Sequence, residues 1–215
     1  MPDKKAIDLT LYLVAGSDGM DESVFLAKIE DALRGGVTLL QLREKEKEGG
    51  ALYEIAVKVK AVADRYGVPL IVDDRADIAL AVGADGVHVG RSDIPVHIAR
   101  GLMGADKIVG ATAKTVGQAL QAQAEGADYV GVGAIYPTTT KVKTMLTPVS
   151  ALKAIADAVR IPAAAIGGLN EDNIDVLKGS GFSGIAVVSA LMKSGDAYKA
   201  ARGLRKAVEM LRGKG

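Results

Sequence analysis

The chain has 215 residues, 49% of them hydrophobic and 25% charged, enough apolar material for one large closed core. A formal net charge of +1 excludes the strong basic excess of a dedicated nucleic-acid surface, and the absence of cysteine excludes disulfides, thiolate metal sites and cysteine nucleophiles. No apolar run approaches the roughly 20 residues that span a bilayer, and Met1–Asp8 is short and charged, so a cytoplasmic protein with no membrane partner is expected.

Along the chain, short β-branched runs alternate with longer amphipathic ones. They predict strands at Leu9–Ala15, Thr38–Arg43, Leu70–Asp73, Gly86–Val89, Lys107–Ala111, Tyr129–Ile135, Ala163–Ile166 and Gly184–Val188. Helices are predicted between and after them, near Glu22–Arg34, Leu52–Tyr66, Ala76–Val82, Val96–Leu102, Val116–Glu125, Ser150–Val159, Glu171–Lys178 and Ala197–Leu211. The last carries Ala201, Leu204, Val208 and Leu211 at spacings of three and four, an apolar stripe fit to lie on a sheet. Gly35-Gly36, Gly83-Ala84, Gly126-Ala127 and Ser180-Gly181 fall between a helix and the next strand, where glycine can end a helix in the left-handed conformation. Strands joined through helices pair in parallel by right-handed crossovers, and eight such units close better than they extend. An open doubly wound sheet is disfavoured because no GxGxxG follows the first strand. With no linker or composition break, residues 1–215 read as one (β/α)8 TIM-barrel domain. Only 4% of residues are aromatic, so its core is expected to be Ala, Val, Ile and Leu.

In such barrels the chemistry sits where strands end and βα loops begin. The second strand runs into Gln41-Leu42-Arg43-Glu44-Lys45, and the third ends in Asp73-Asp74-Arg75. After the fourth come Gly90 and Asp93, and the fifth ends in Thr112. Asp73, Asp74 and Asp93 would then lie on adjacent strand ends facing Arg43, Lys45 and Lys141. That is the composition of a magnesium–polyphosphate site: Mg²⁺ takes one or two carboxylates plus phosphate oxygens, and Lys and Arg neutralise the rest. Helix capping is the competing explanation for each Asp taken singly.

Gly167-Gly168 and Val188-Ser189-Ala190 follow the last two strands, where barrels commonly hold a phosphate on backbone N–H groups. The sixth strand opens into the longest βα loop, Tyr136 to Pro148, whose Thr138-Thr139-Thr140-Lys141 run could wrap an anion. His88 points into the barrel or toward the helices, as a packed or a catalytic group, whereas His97 reads as surface. Two histidines without HxxxH spacing make a zinc centre improbable.

These strand-end segments, in this order, resemble the thiamine-phosphate synthase family. The resemblance rests on Gln41–Lys45 (QLREK), Asp74-Arg75, Gly86–Gly90 with Asp93, the run DYVGVGAIYPTTTK from Asp128 to Lys141, Ile166–Leu169 and Val187–Ala190. It implies a (β/α)8 barrel joining a pyrimidine diphosphate to a thiazole phosphate, plain or carboxylated, with release of pyrophosphate. By that resemblance Gln41, Leu42, Arg43, Glu44, Lys45, Asp73, Thr112 and Lys141 would bind the pyrimidine diphosphate. Arg43, Lys45 and Lys141 would be its catalytic cations, and Asp74 and Asp93 would bind Mg²⁺. Thr138, Thr139, Thr140, Gly168, Val188 and Ser189 would receive the thiazole phosphate. The chain departs from the family pattern at Asp73, where Asn is usual, and at Thr112, where Ser is usual.

The same resemblance leaves rivals in place. A thiazole tautomerase relative would not need a diphosphate–magnesium apparatus, and a non-catalytic phospholigand-binding barrel would share the binding residues. An aldolase-type barrel would need a lysine in an apolar pocket, and Lys141 lies among hydroxyls. The outer helix faces carry mixed charge without an apolar seam, so homo-oligomer formation is left open.

Overall fold

The computed structural model describes residues 7–17, 19–137 and 146–213. Eight parallel strands close in sequence order into a barrel: β1 (Leu11–Ala15), β2 (Leu39–Leu42), β3 (Leu70–Asp73), β4 (Gly86–Val89), β5 (Ile108–Ala113), β6 (Tyr129–Gly133), β7 (Ala163–Ile166) and β8 (Gly184–Val187). Closure is made by β1 on β8, with Tyr12 beside Ala186 and Leu13 beside Val187. Outside lie α1 (Glu22–Arg34), α2 (Gly49–Arg65), α3 (Ala76–Ala81), α4 (Val96–Met103), α5 (Val116–Ala124), α6 (Val149–Ala158), a single-turn α7 (Ser189–Met192) and α8 (Ala197–Leu211). Local chemistry starts several of them. Asp21 caps α1 by accepting from the Ser23 N–H at 2.9 Å, and Asp196 caps α8 by accepting from the Lys199 N–H at 2.9 Å.

Strand alternation divides the apolar residues into two cores. One parity, including Leu11, Leu13, Leu40, Leu42, Val72, Val87, Val130 and Ile185, packs outward against the helices. The other parity fills the barrel with Tyr12, Val14, Leu39, Ile71, Tyr129, Ala164 and Ala186. The outer core has the aliphatic composition expected. The interior does not: it also buries Gln41 and His88, so polar and aromatic groups occupy the barrel axis.

One predicted element is absent. Glu171–Lys178 does not form an α-helix; a 3-10 turn at Ile174–Leu177 stands there. Asn170 and Asn173 compete with helix formation by bonding the local backbone: the Asp172 N–H donates to Asn170 Oδ1 and the Asn170 N–H to Asn173 Oδ1, both at 2.9 Å. A single helical turn that was not expected, α7, follows β8.

Candidate functional site at the carboxyl end of the barrel

The ends of β2, β3 and β4 bring together five charged side chains. Asp73 stands at the end of β3, its side chain only 9% exposed, with Oδ2 at 3.0 Å from Lys45 Nζ and 3.4 Å from Arg43 Nε. Lys45 also donates to Asp74. Burial works against the Lys45 charge, but the hydrogen bonds and charges of Asp74 and Asp73 outweigh it and hold the ammonium above its ordinary value. Asp74 adopts φ +61°, a left-handed backbone conformation uncommon outside glycine, as the chain leaves β3.

Asp93 completes the group from the β4–α4 loop. The Gly90 N–H donates to its Oδ2 at 2.8 Å, and a Cβ at Gly90 would come within 2.9 Å of that oxygen, so a side chain there would make the Asp93 carboxyl shift. Burial, and then the hydrogen bond and charge of Asp74, push the Asp93 carboxyl above the usual carboxylate range. Two carboxyl groups held against each other at a site rim are an arrangement that a divalent cation relieves. The donor chemistry therefore fits Mg²⁺, which needs one or two carboxylates when phosphate oxygens supply the rest. Among the described residues no group of three or more His, Asp or Glu side chains could hold a metal ion. None of Asp73, Asp74 and Asp93 caps a helix: α3 and α4 begin after Arg75 and Pro95 without a side-chain cap, which removes the capping explanation.

The neighbours of these residues have other partners. Glu44 accepts the Ser17 N–H at 2.7 Å and so ties the β1–α1 loop to the end of β2. Leu42 is buried among the outward-facing residues, leaving its backbone as the part near the barrel mouth. Arg75 turns away to make a bidentate pair with Asp77 at 2.8 and 2.6 Å.

Below the charged cluster a chain of hydrogen bonds crosses the barrel interior. Gln41 donates to the Tyr12 hydroxyl, which is 2.7 Å from the Tyr129 hydroxyl. That hydroxyl lies 3.1 Å from His88 Nδ1, and His88 Nε2 lies 3.0 Å from Thr112 Oγ1. His88 is thus an inward-facing, hydrogen-bonded group, and His97 is exposed beside Glu125. Burial pushes both tyrosine hydroxyls up, so they stay neutral donors at any physiological pH. Gly110 makes room for the Tyr129 ring: a Cβ there would lie 2.2 Å from Tyr129 Cζ.

On the opposite side of the mouth, Gly167 and Gly168 both have positive φ, 109° and 64°. They sit directly on the exit of β6, with a Cβ at Gly168 falling 2.7 Å from Tyr136 Cβ, and Asn173 Nδ2 donates to the Gly168 carbonyl at 2.9 Å. Val188 borders the barrel interior and Ser189 opens α7, exposed. The two ends of the β6–α6 loop are pinned together by the Thr147 N–H on the Ala134 carbonyl at 2.8 Å and Thr147 Oγ1 on the Gly133 carbonyl at 3.0 Å. Thr138, Thr139, Thr140 and Lys141 lie outside the described residues.

The family model described as thiamine monophosphate synthase matches residues 11–191, from the first strand through α7. The chain belongs to the thiamine monophosphate synthase family. It is 50% identical over 203 residues to a thiamine-phosphate synthase of Enterococcus faecalis, covering 94% of this chain and 96% of the relative. It is 51% identical over 188 residues to thiamine-phosphate synthase 2 of Streptococcus pneumoniae, covering 87% and 90%. A solved structure of the thiamine phosphate pyrophosphorylase from Pyrococcus furiosus superposes with a TM-score of 0.86 at 36% identity, covering 96% of this chain and 98% of that one. As a member of this family the chain is an enzyme, a transferase.

The barrel brings Gln41, Arg43, Lys45, Asp73, Asp74, Asp93 and Thr112 to one side of its mouth and Gly168, Val188 and Ser189 to the other. Sequence reasoning missed Tyr12 and Tyr129 as interior residues. A signal existed: Gly110, Gly131 and Gly133 share the inward parity of β5 and β6, and a run of missing side chains facing a barrel axis implies large neighbours to fill it.

Proposed function

We propose that the chain is a Mg²⁺-dependent thiamine-phosphate synthase that joins a pyrimidine methyl diphosphate to a thiazole phosphate and releases pyrophosphate. The observation that carries this reading is the Arg43–Asp73–Lys45–Asp74–Asp93 cluster, in which two cations and a pair of crowded carboxylates share one end of three adjacent strands. Arg43 and Lys45, with Lys141, are the groups for the diphosphate, and Asp74 and Asp93 are the metal ligands. When bound, Mg²⁺ supplies charge neutralisation to the departing pyrophosphate oxygens. Arg43 and Lys45 add fixed positive charge where negative charge develops, which is electrostatic stabilisation of the transition state.

The pyrimidine would lie over the hydrogen-bond chain that ends at Gln41 and Thr112, with both of these offered as its polar contacts. The C–O bond to pyrophosphate breaks first, its electron pair leaving with oxygen, and the resulting pyrimidine methylene cation is attacked by the thiazole nitrogen. No protein nucleophile is needed. The thiazole phosphate is assigned to Gly168, Val188 and Ser189 together with Thr138, Thr139 and Thr140. Backbone N–H groups at a strand–turn–helix junction suit an anion. Lys45, paired with Asp73 and Asp74, is not the lysine in an apolar pocket that an aldolase-type Schiff base needs. A cytoplasmic location belongs to the same reading; no helix among the described residues is long and apolar enough to cross a membrane.

The test is to supply both substrates with and without Mg²⁺ and follow pyrophosphate. Release that depends on both substrates and on the metal is expected. No release at saturating substrate would overturn the reading and favour a binding barrel.

A further inference from the structure

Asp73 has a place in the site that a diphosphate contact does not explain. Its carboxylate carries negative charge, so it repels a diphosphate, and it is already engaged with the two cations the diphosphate needs: Lys45 at 3.0 Å and Arg43 at 3.4 Å. It is well buried, with 9% of its side chain exposed, whereas Lys45 is 40% exposed and Arg43 23%. The carboxylate is thus the fixed partner, and the cations are the groups open to a ligand above them. Asp73 is not read as a third metal ligand, since the described residues contain no group of three or more such side chains that could hold a metal ion, and its Oδ2 is engaged with both cations.

We infer that Asp73 is an internal competitor for Arg43 and Lys45 that weakens their grip on pyrophosphate and so speeds product release. This rests on the reading of those two residues as the diphosphate's cations. The chemistry creates the need. In the esterified substrate one diphosphate oxygen is bonded to carbon; when that bond breaks, the electron pair stays on oxygen and the free pyrophosphate gains a negative charge. The product therefore binds a cationic site more tightly than the substrate did, and a site of bare cations would be held by it. A fixed carboxylate offsets part of that attraction. Once pyrophosphate lifts away, Asp73 retakes both cations. Asp73 acts through Arg43 and Lys45 and is a positioning residue.

The experiment uses Asp73→Asn, which keeps shape and removes charge. Binding of inorganic pyrophosphate to the full chain is measured by calorimetry with Mg²⁺ present, alongside product inhibition of turnover. The expected result is pyrophosphate binding tightened about tenfold, with inhibition at correspondingly lower pyrophosphate and a smaller fall in KM for the pyrimidine diphosphate. Unchanged or weaker pyrophosphate binding in the variant overturns the inference, since a purely structural carboxylate would loosen the site when removed. Should Asp73→Asn fail to fold, Asp73→Ser removes the same charge and is read by the same criterion. The two levels of the argument fail differently: a wild-type chain that neither binds pyrophosphate nor releases it defeats the proposed function, whereas an active wild type with an unaltered variant defeats only the role of Asp73.

Discussion

The two ends of the barrel use charge in opposite ways. At the amino-terminal end, charged side chains are spent on the backbone. Arg100 donates to the carbonyls of Gly126, Gly104 and Lys107 at 3.0, 2.7 and 2.6 Å and also pairs with Asp128. Asp128 in turn accepts the Val109 N–H, Asp85 accepts the Leu70 N–H, and Asp8 accepts the Thr10 N–H. The Asp128 and Asp85 bonds tie one strand entry to the loop before the next strand, and the Asp8 bond braces the entry to β1. At the carboxyl-terminal end, Lys45, Arg43, Asp73, Asp74 and Asp93 answer mostly one another, and two of the carboxyls are pressed together. Charge satisfied by fixed backbone stabilises the fold, and charge balanced against other side chains can be rearranged by a ligand. The lower end is built to hold and the upper end to exchange.

The largest expected effects separate those two roles. Asp93→Ala should cut turnover by about 10²-fold or more while leaving the melting temperature nearly unchanged, because relief of a crowded carboxyl is offset by loss of the acceptor for the Gly90 N–H. A thermal melt beside a kinetic assay checks it, and unfolding of the variant would break the contrast. Arg100→Ala should do the reverse. It takes the guanidinium from Asp128, which keeps the Val109 N–H, and the donor from three carbonyls, and is expected to cost about 2–4 kcal/mol in urea denaturation, with kcat of the folded enzyme retained.

A smaller effect follows from the direction of the Asp93 shift. Its folded carboxyl is held above the unfolded value by burial and by Asp74, so in the absence of metal its ionisation opposes folding at neutral pH. Asp93→Asn should therefore raise the melting temperature at pH 7 without metal. That advantage should shrink as pH falls through the elevated folded value and vanish below the unfolded one. A pH series of melts with and without Mg²⁺ reads it; an advantage that grows toward acid would mean the carboxylate is stabilising instead.

The smallest test lies at the lower end. Ser180 is buried with no hydrogen-bond partner for its hydroxyl among the described residues. Ser180→Ala should raise stability by about 0.5–1 kcal/mol without touching turnover, and a loss of stability would show that the hydroxyl is satisfied after all.

Much of this was open to reading in the sequence because it is periodic or local. Three strand runs coincide with the observed strands and the others differ by at most two residues at an end, whereas the turn signals of Asn170 and Asn173 outweigh the helix expected at Glu171–Lys178. The charged site was legible because all its members stand within a few residues of a strand end, and closure of the barrel then fixes which of them are neighbours. The interior hydrogen-bond chain was not legible. Tyr12, Gln41, His88, Thr112 and Tyr129 come from five different strands, and no spacing along the chain registers their meeting.

The sequence by itself determined the parallel barrel, through alternating apolar periods with glycine at the joints, and it determined which end carries the chemistry. Only the tertiary structure decided how the charges are shared. Asp73 is bound to both cations, Glu44 is occupied by the Ser17 N–H, and Asp93 is held by Gly90 against Asp74. Pairing energies fall off over a few ångströms, and distances of that size are set by the registers of β2, β3 and β4, not by the order of residues within any one of them.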